Sequence, residues 1–225
     1  MYQLLSEQHD FIVINKDCNV HFHSQDGTAG VIAQAKADLG YKLYPVHRLD
    51  SPTSGLLIVA RSPQAANVFT QMFTAHQVQK YYLAIALGKP KKKQGWIVGD
   101  MAKSRRSMYK LLRTTENPAV TQFFCLSLCE GKRAYLLKPL SGKTHQLRVA
   151  MASIGVPILG DTLYGQHESD RCYLHAYSLH FNYLGQQYVF QQRPMQGAEF
   201  NDEVFTSLVS QQWLQPDNLA WPTKK

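Results

Sequence analysis

Three short clusters hold the side chains whose types and spacing could do chemistry. His47-Arg48-Leu49-Asp50 places an imidazole, a guanidinium and a carboxylate within four residues. Ser51-Pro52-Thr53-Ser54-Gly55 follows with turn-forming residues, so Asp50 reads either as a turn cap or as a reacting carboxylate. Gly142-Lys143-Thr144-His145-Gln146-Leu147-Arg148 gathers polar side chains where a helix is expected to begin, with Arg148 one turn beyond Thr144. Lys80-Tyr81-Tyr82 opens an apolar run, and its two rings read as one core and one surface residue.

Elements that can position these clusters are visible in the pattern. Phe11–Lys16 and Leu56–Ala60 are apolar runs of strand length. Tyr44–Asp50 is extended, because the residue before Pro45 avoids the helical region. Thr28–Leu39, closed by Gly40, has helical spacing. Ser62-Pro63 supplies a cap and a first-turn proline for a helix with Ala66, Phe69, Met72 and Phe73 on its apolar face. Lys80–Gly88 is a strand. Ala119–Cys129 and Arg133–Leu140 form a hairpin around Glu130-Gly131-Lys132, and Tyr173–Phe181 with Tyr188–Gln192 a second around Leu184-Gly185. Thr144–Ile154 is a helix stopped by Gly155. Asn201 or Asp202 caps a last helix to about Leu214, with a loosely held tail after Pro216. The expectation is an α+β domain spanning 1–225, with helices packed on a mixed, largely antiparallel sheet.

Composition narrows the class. With 225 residues, 44% apolar and 18% charged, the chain is globular. No apolar run approaches the ~20 residues of a membrane span. Residues 1–10 carry Glu7 and Asp10 and no signal-like core, so a cytoplasmic location is expected. Cys18, Cys125, Cys129 and Cys172 match no zinc spacing and read as reduced thiols. The net charge of +8 resides in one segment: Lys89–Arg113 holds nine basic residues and one acid, and the rest of the chain is neutral. Such a concentration suits a polyanion, nucleic acid first, or else a solvated basic loop.

His47-Arg48-Leu49-Asp50 with Thr53-Ser54-Gly55 resembles the signature of the RluA family of pseudouridine synthases. Ile12–Lys16, Lys80–Ala84, Ala119-Val120-Thr121, Gly142–Arg148 with Gly160-Asp161 and Tyr164-Gly165, and Leu174-His175-Ala176 follow in the family's order. These blocks span residues 11–181. The resemblance implies the pseudouridine synthase catalytic fold with a central RNA-binding cleft, and a metal-free, cofactor-free isomerisation of uridine in structured rRNA or tRNA. It implies that Asp50 is the catalytic carboxylate, that Arg148 pairs with it, and that Tyr82 stacks on the target base. Leu147 would wall the pocket, and Arg48 would fill the space vacated by a flipped uridine. His47 would support the turn.

Lys143, Thr144, His145 and Gln146 belong to the substrate-binding loop. The family usually has arginine where this chain has Lys143, and commonly histidine near Ala150. The first motif starts by residue 11, so no N-terminal S4-type RNA-binding domain is expected. RNA grip then falls to the basic segment, with Lys91, Lys92, Lys93, Arg105 and Arg106 as phosphate contacts beside the cleft. A monomer is expected. The competing readings are an inactive RNA-binding or chaperone protein of the same fold, a hydrolase using Asp50 with His47 or His145, and a plain structural domain.

Overall fold

The computed structural model describes residues 1–25 and 27–223. In chain order its elements are β1 (Tyr2–Glu7), β2 (Phe11–Lys16), α1 (Val31–Leu39), β3 (Tyr44–Pro45), β4 (Ser54–Ala60), α2 (Pro63–Thr74), β5 (Gln79–Leu87), β6 (Gln94–Gly99), β7 (Met101–Lys103), β8 (Tyr109–Leu111), β9 (Ala119–Ser127), β10 (Lys132–Pro139), α3 (Gln146–Ser153), β11 (Leu174–Tyr183), β12 (Gln186–Gln191), α4 (Ala198–Asn201) and α5 (Glu203–Gln212). This is a mixed α+β architecture with mostly antiparallel pairing. The chain divides into two compact units, Met1–Gln79 with His175–Arg193, and Lys80–Leu174 with Pro194–Lys225.

In the first unit β2 lies between β1 and β4, and both pairings are antiparallel. β4 also takes β3 antiparallel and β11 parallel, and β12 returns antiparallel on β11. β2 and β4 are buried along their whole length, which is why they read as unbroken apolar runs. α2 starts as its sequence dictates: the Ser62 hydroxyl accepts the Ala65 N–H, and Pro63 needs no donor. Its buried residues are Ala65, Phe69 and Met72, so Ala65 rather than Ala66 faces inward. Phe11, Phe69 and Tyr183 form an aromatic core with ring centroids 4.8–5.5 Å apart. α1 begins at Val31 rather than Thr28, because Thr28 pairs with Gln25 and Gly30 is still extended.

In the second unit β10 pairs antiparallel with both β5 and β9, and β6 lines the outer side of β9. The basic segment is not a plain loop. It holds β6 and the small antiparallel hairpin β7–β8, whose turn carries Arg106 and Ser107 at positive φ. The expectation of a loosely held tail is corrected. The carbonyl of Pro222 accepts from Trp96 Nε1 at 2.8 Å and from Gln122 Nε2 at 2.7 Å, and the Trp221 ring lies 4.7 Å from that of Phe124. A tail without periodicity gives no sign of this; one tryptophan docking on the sheet decides it. Lys224 and Lys225 lie outside the described residues.

Burial pushes the phenols of Tyr81, Tyr173, Tyr177 and Tyr183 up to about 12. Their folded pKa is raised, so their contribution to stability is complete below the ordinary value of 10 and is lost as pH rises to about 12. Desolvation lowers Lys80 and Lys138, whose burial costs stability at lower pH and ceases to do so as pH rises. Urea midpoints are expected to fall through the alkaline window, with the tyrosinate absorbance of these four rings appearing only as the chain unfolds. Full ionisation in the folded protein would contradict this burial.

Candidate active site

Asp50 occupies the loop entering β4 in the first unit. The turn closes through Thr53 N–H to the Asp50 carbonyl at 3.0 Å. Two buried polar contacts hold its neighbours. Lys16, with no exposed surface, donates to the carbonyls of Asp17 (2.9 Å), Val20 (2.9 Å) and Ser51 (3.1 Å). Three ammonium protons thus match three carbonyl acceptors, one of them adjacent to Asp50. At the other end of the turn, His175 Nε2 faces the Gln192 carbonyl at 2.8 Å and must donate to it. Its Nδ1 therefore accepts from the Ser54 hydroxyl, also at 2.8 Å. Gly55 has φ +113, and a Cβ there would strike the Ala176 backbone, so glycine is required where β4 meets β11.

His47 serves the scaffold. Its Nε2 accepts the Ile58 N–H at 2.9 Å, and its ring stacks on Phe73 at 4.5 Å. An acceptor Nε2 fixes the imidazole as the other tautomer and occupies the nitrogen a base would use. Arg48 is exposed and Leu49 buried, so alternate side chains around Asp50 point outward and inward.

In the second unit Tyr82 stands near the start of β5, opposite Leu137 of β10, and is 9% exposed. Leu147 and Arg148 are buried on α3. Arg148 donates from Nε and NH2 to the two oxygens of Asp161, both at 2.7 Å, with 3% and 0% of the two side chains exposed. Asp161 Oδ1 also accepts the N–H groups of Leu163 and Tyr164. This fork fixes the guanidinium plane.

Helix α3 starts at Gln146, later than Thr144, because His145 adopts φ 56. Gln146 is fully engaged inside the protein. Its oxygen accepts from Ser141 and from the Lys143 N–H, and its nitrogen donates to Val120 and Thr121. It therefore shapes the loop. Lys143 reaches Asn117 Oδ1 at 2.8 Å, and Thr144 is exposed.

The structure separates the basic residues that the sequence groups. Lys93 precedes β6 and its carbonyl accepts from Cys125, whereas the hairpin follows the far end of β6 at Gly99. The two ends of the six-residue β6, Gln94 and Gly99, lie five rises apart, roughly 17 Å. The hairpin end carries the contact to the loop before α3, through the Tyr109 N–H on the Tyr164 hydroxyl beside His145. Tyr82 instead lies level with Gly95, since Tyr82 pairs with Leu137, Leu137 with Phe123 and Phe123 with Gly95. Arg105 and Arg106 are exposed at the hairpin turn. Lys91, Lys92 and Lys93 are exposed at the opposite end.

Lys16, Asp161 and the Ser54–His175 pair are positioning groups that motif reading passed over as candidates. A charged residue closing the wholly buried strand Phe11–Lys16 is the signal that could have found the first of them. Substituting Lys16 by methionine keeps the stem and removes all three donors. The expected loss is about 2–4 kcal/mol, with turnover reduced at least tenfold because the Asp50 loop loses an anchor. Calorimetry and single-turnover rates check it; wild-type turnover in a destabilised protein would show that Lys16 supports the fold alone.

Among the described residues no group of His, Cys, Asp or Glu could hold a metal ion, and no helix is long and apolar enough to cross a membrane. The four cysteines are unbridged.

The model of a family described as RNA pseudouridylate synthase matches residues 10–153. A protein of Haemophilus influenzae described as an uncharacterized RNA pseudouridine synthase is 46% identical over 185 residues, covering 81% of this chain and 83% of that protein. A tRNA pseudouridine synthase C of Vibrio cholerae is 28% identical over 237 residues, covering 94% and 96%. The solved structure of human RNA pseudouridylate synthase domain containing 1 superposes with a TM-score of 0.74 at 26% identity, covering 86% of this chain and 84% of that one. The ordered motifs, the fold and the match over most of the motif-bearing region thus agree, and this chain belongs to the RluA-type family of RNA pseudouridine synthases, which are isomerases.

Proposed function

We propose that this enzyme converts uridine in structured tRNA or rRNA to pseudouridine, with Asp50 as the essential carboxylate. The bond between N1 of uracil and C1′ of ribose breaks, and one between C5 and C1′ forms. The C5 proton leaves to solvent and N1 gains one, so atoms and electrons balance. A stacked uridine cannot reach a protein carboxylate, so the base is flipped out, at about a few kcal/mol. Arg48 fills the vacated place, Tyr82 stacks on the uracil, Leu147 walls the pocket, and Arg148 holds the site's positive charge in a fixed plane.

The observation that carries this reading is the state of His47. Of the polar groups in His47–Asp50, the imidazole is bound to the main chain at Nε2, so the chemistry falls to the carboxylate. A hydrolase using His47 as base loses its base by the same contact, and it would release free uracil. The Vibrio relative, matched nearly end to end, favours tRNA as the first substrate to try. The whole chain acts as one catalytic domain in this proposal.

Pseudouridine mapping by carbodiimide adduct stops, in cells lacking the gene and in cells complemented with the wild type, tests it. A site that disappears and returns supports the assignment and names the RNA. Unchanged modification across tRNA and rRNA counts against it.

RNA grip is assigned to the hairpin, which Tyr109 ties to Tyr164, with the Lys91–Lys93 loop as a second contact at the other end of β6. Replacing Arg105 and Arg106 by alanine is expected to weaken a short stem-loop and a full-length RNA alike, and to lower the salt slope by about 1.5. Replacing Lys91, Lys92 and Lys93 is expected to weaken only RNA long enough to reach about 17 Å further. Filter binding across salt reads both; identical behaviour of the two variants on both RNAs would remove the distinction.

A further inference from the structure

We infer that Tyr164 is a positioning residue that latches the basic hairpin to the helix carrying Leu147 and Arg148. Its hydroxyl oxygen accepts the main-chain N–H of Tyr109, the first residue of β8, at 2.9 Å. The same oxygen lies 2.9 Å from His145 Nδ1, immediately before α3. An N–H can only donate, so the hydroxyl accepts from the hairpin and is hydrogen-bonded to the imidazole through its remaining lone pair or its proton, as the His145 tautomer sets. The His145 ring stands edge-on to both Tyr109 and Tyr164, each at 5.7 Å. The face of the Tyr164 ring lies 5.2 Å from the Arg148 guanidinium. Its own N–H is held by the Asp161 carboxylate that fixes Arg148. One side chain therefore joins the hairpin, the start of α3 and the Arg148–Asp161 fork.

The hairpin needs such a tie. β7 and β8 have three residues each and, among the described residues, form a two-stranded sheet with each other. A two-stranded ribbon of that length is not stable by itself. Its base is held at Asp100, whose N–H donates to the Thr114 carbonyl and whose carbonyl accepts from Leu112. Beyond that base β8 touches α3, and Tyr164 supplies the hydrogen bond beside that contact. The inference rests on the reading of the hairpin as an RNA grip. It adds that the grip and the arginine helix are held in fixed relation, so that bound phosphates place the target nucleotide.

Tyr164→Phe deletes the hydroxyl and keeps the ring beneath Arg148. In the full-length protein, amide exchange in the Met101–Leu112 peptide is expected to rise tenfold or more, with exchange elsewhere unchanged. On the RNA identified by mapping, KM is expected to rise fivefold to tenfold while kcat stays within twofold. His145→Ala is expected to reproduce part of both effects. His145→Asn, whose side-chain amide can take the place of Nδ1 as donor or acceptor and which tolerates φ 56, is expected to restore them.

Wild-type exchange and KM in Tyr164→Phe would overturn the inference. So would a fall in kcat at constant KM, which would place Tyr164 in the service of Arg148 alone. If Tyr164→Phe does not fold, the His145 pair decides by the same two readouts. If the wild type itself isomerises no RNA, the functional reading has failed, and the exchange data still settle the latch.

Discussion

Asp50→Asn is expected to lower pseudouridine formation by at least about a thousandfold while leaving RNA affinity within about twofold. The substitution preserves shape and removes the negative charge. The turn around residue 50 is held by main-chain and neighbouring groups: Thr53 N–H on the Asp50 carbonyl, Lys16 on the Ser51 carbonyl, and Ser54 on His175. A loss of rate with unchanged thermal stability would therefore report chemistry. Tritium released from C5-labelled uridine in RNA measures the reaction directly, since the C5 hydrogen must leave when C5 bonds to ribose. Activity retained within tenfold would remove Asp50 from the reaction and return it to the role of a turn residue. Loss of RNA binding in parallel would instead make it part of the grip.

The second large effect is expected at Asp161. Asp161→Asn keeps the volume but removes the carboxylate charge that the buried Arg148 fork faces. Both side chains are almost wholly inaccessible and are joined by two 2.7 Å hydrogen bonds. Breaking such a pair costs about 3–5 kcal/mol, which for a chain of this size is a Tm loss on the order of 10 °C. The Asp161 oxygens also accept two main-chain N–H groups, from Leu163 and Tyr164. An asparagine amide can serve one side of that arrangement but not both, so the turn that follows Gly160 loosens as well. Replacing Arg148 and Asp161 together by methionine and leucine is expected to recover most of the stability and none of the activity. That outcome separates the ion pair's structural cost from its use of the arginine in the site. Full stability in Asp161→Asn alone would show that Arg148 is held by other partners.

Much of this architecture was legible in the residues. Phe11–Lys16 and Ser54–Ala60 are buried on both faces, so their apolar runs announce strands without ambiguity. Ser62-Pro63 and Asp202 fixed two helix starts because capping is local chemistry between a side chain and an N–H two or three residues on. The hairpin turns at Gly131 and Gly185 were readable for the same reason, since each needs a positive φ. β1 was missed because its burial does not alternate and none of its residues is buried. The strands of the basic segment were hidden by charge, which says that a surface is solvated and nothing about hydrogen bonding beneath it.

The order of the motifs determined the family and the residues named for catalysis, because each motif is a short stretch whose chemistry survives without knowledge of its neighbours. What only the tertiary structure decided is which of those residues act through others. That His47 is held by the Ile58 amide and that Gln146 is wholly engaged inside its loop are contacts between residues 11 and up to 26 positions apart. Lys16 reaches Ser51 across 35 positions, and Ser54 reaches His175 across 121. The splitting of the basic segment into two patches has the same origin. Charge counts along the chain add regardless of direction, whereas β6 runs straight and carries its two ends roughly 17 Å apart.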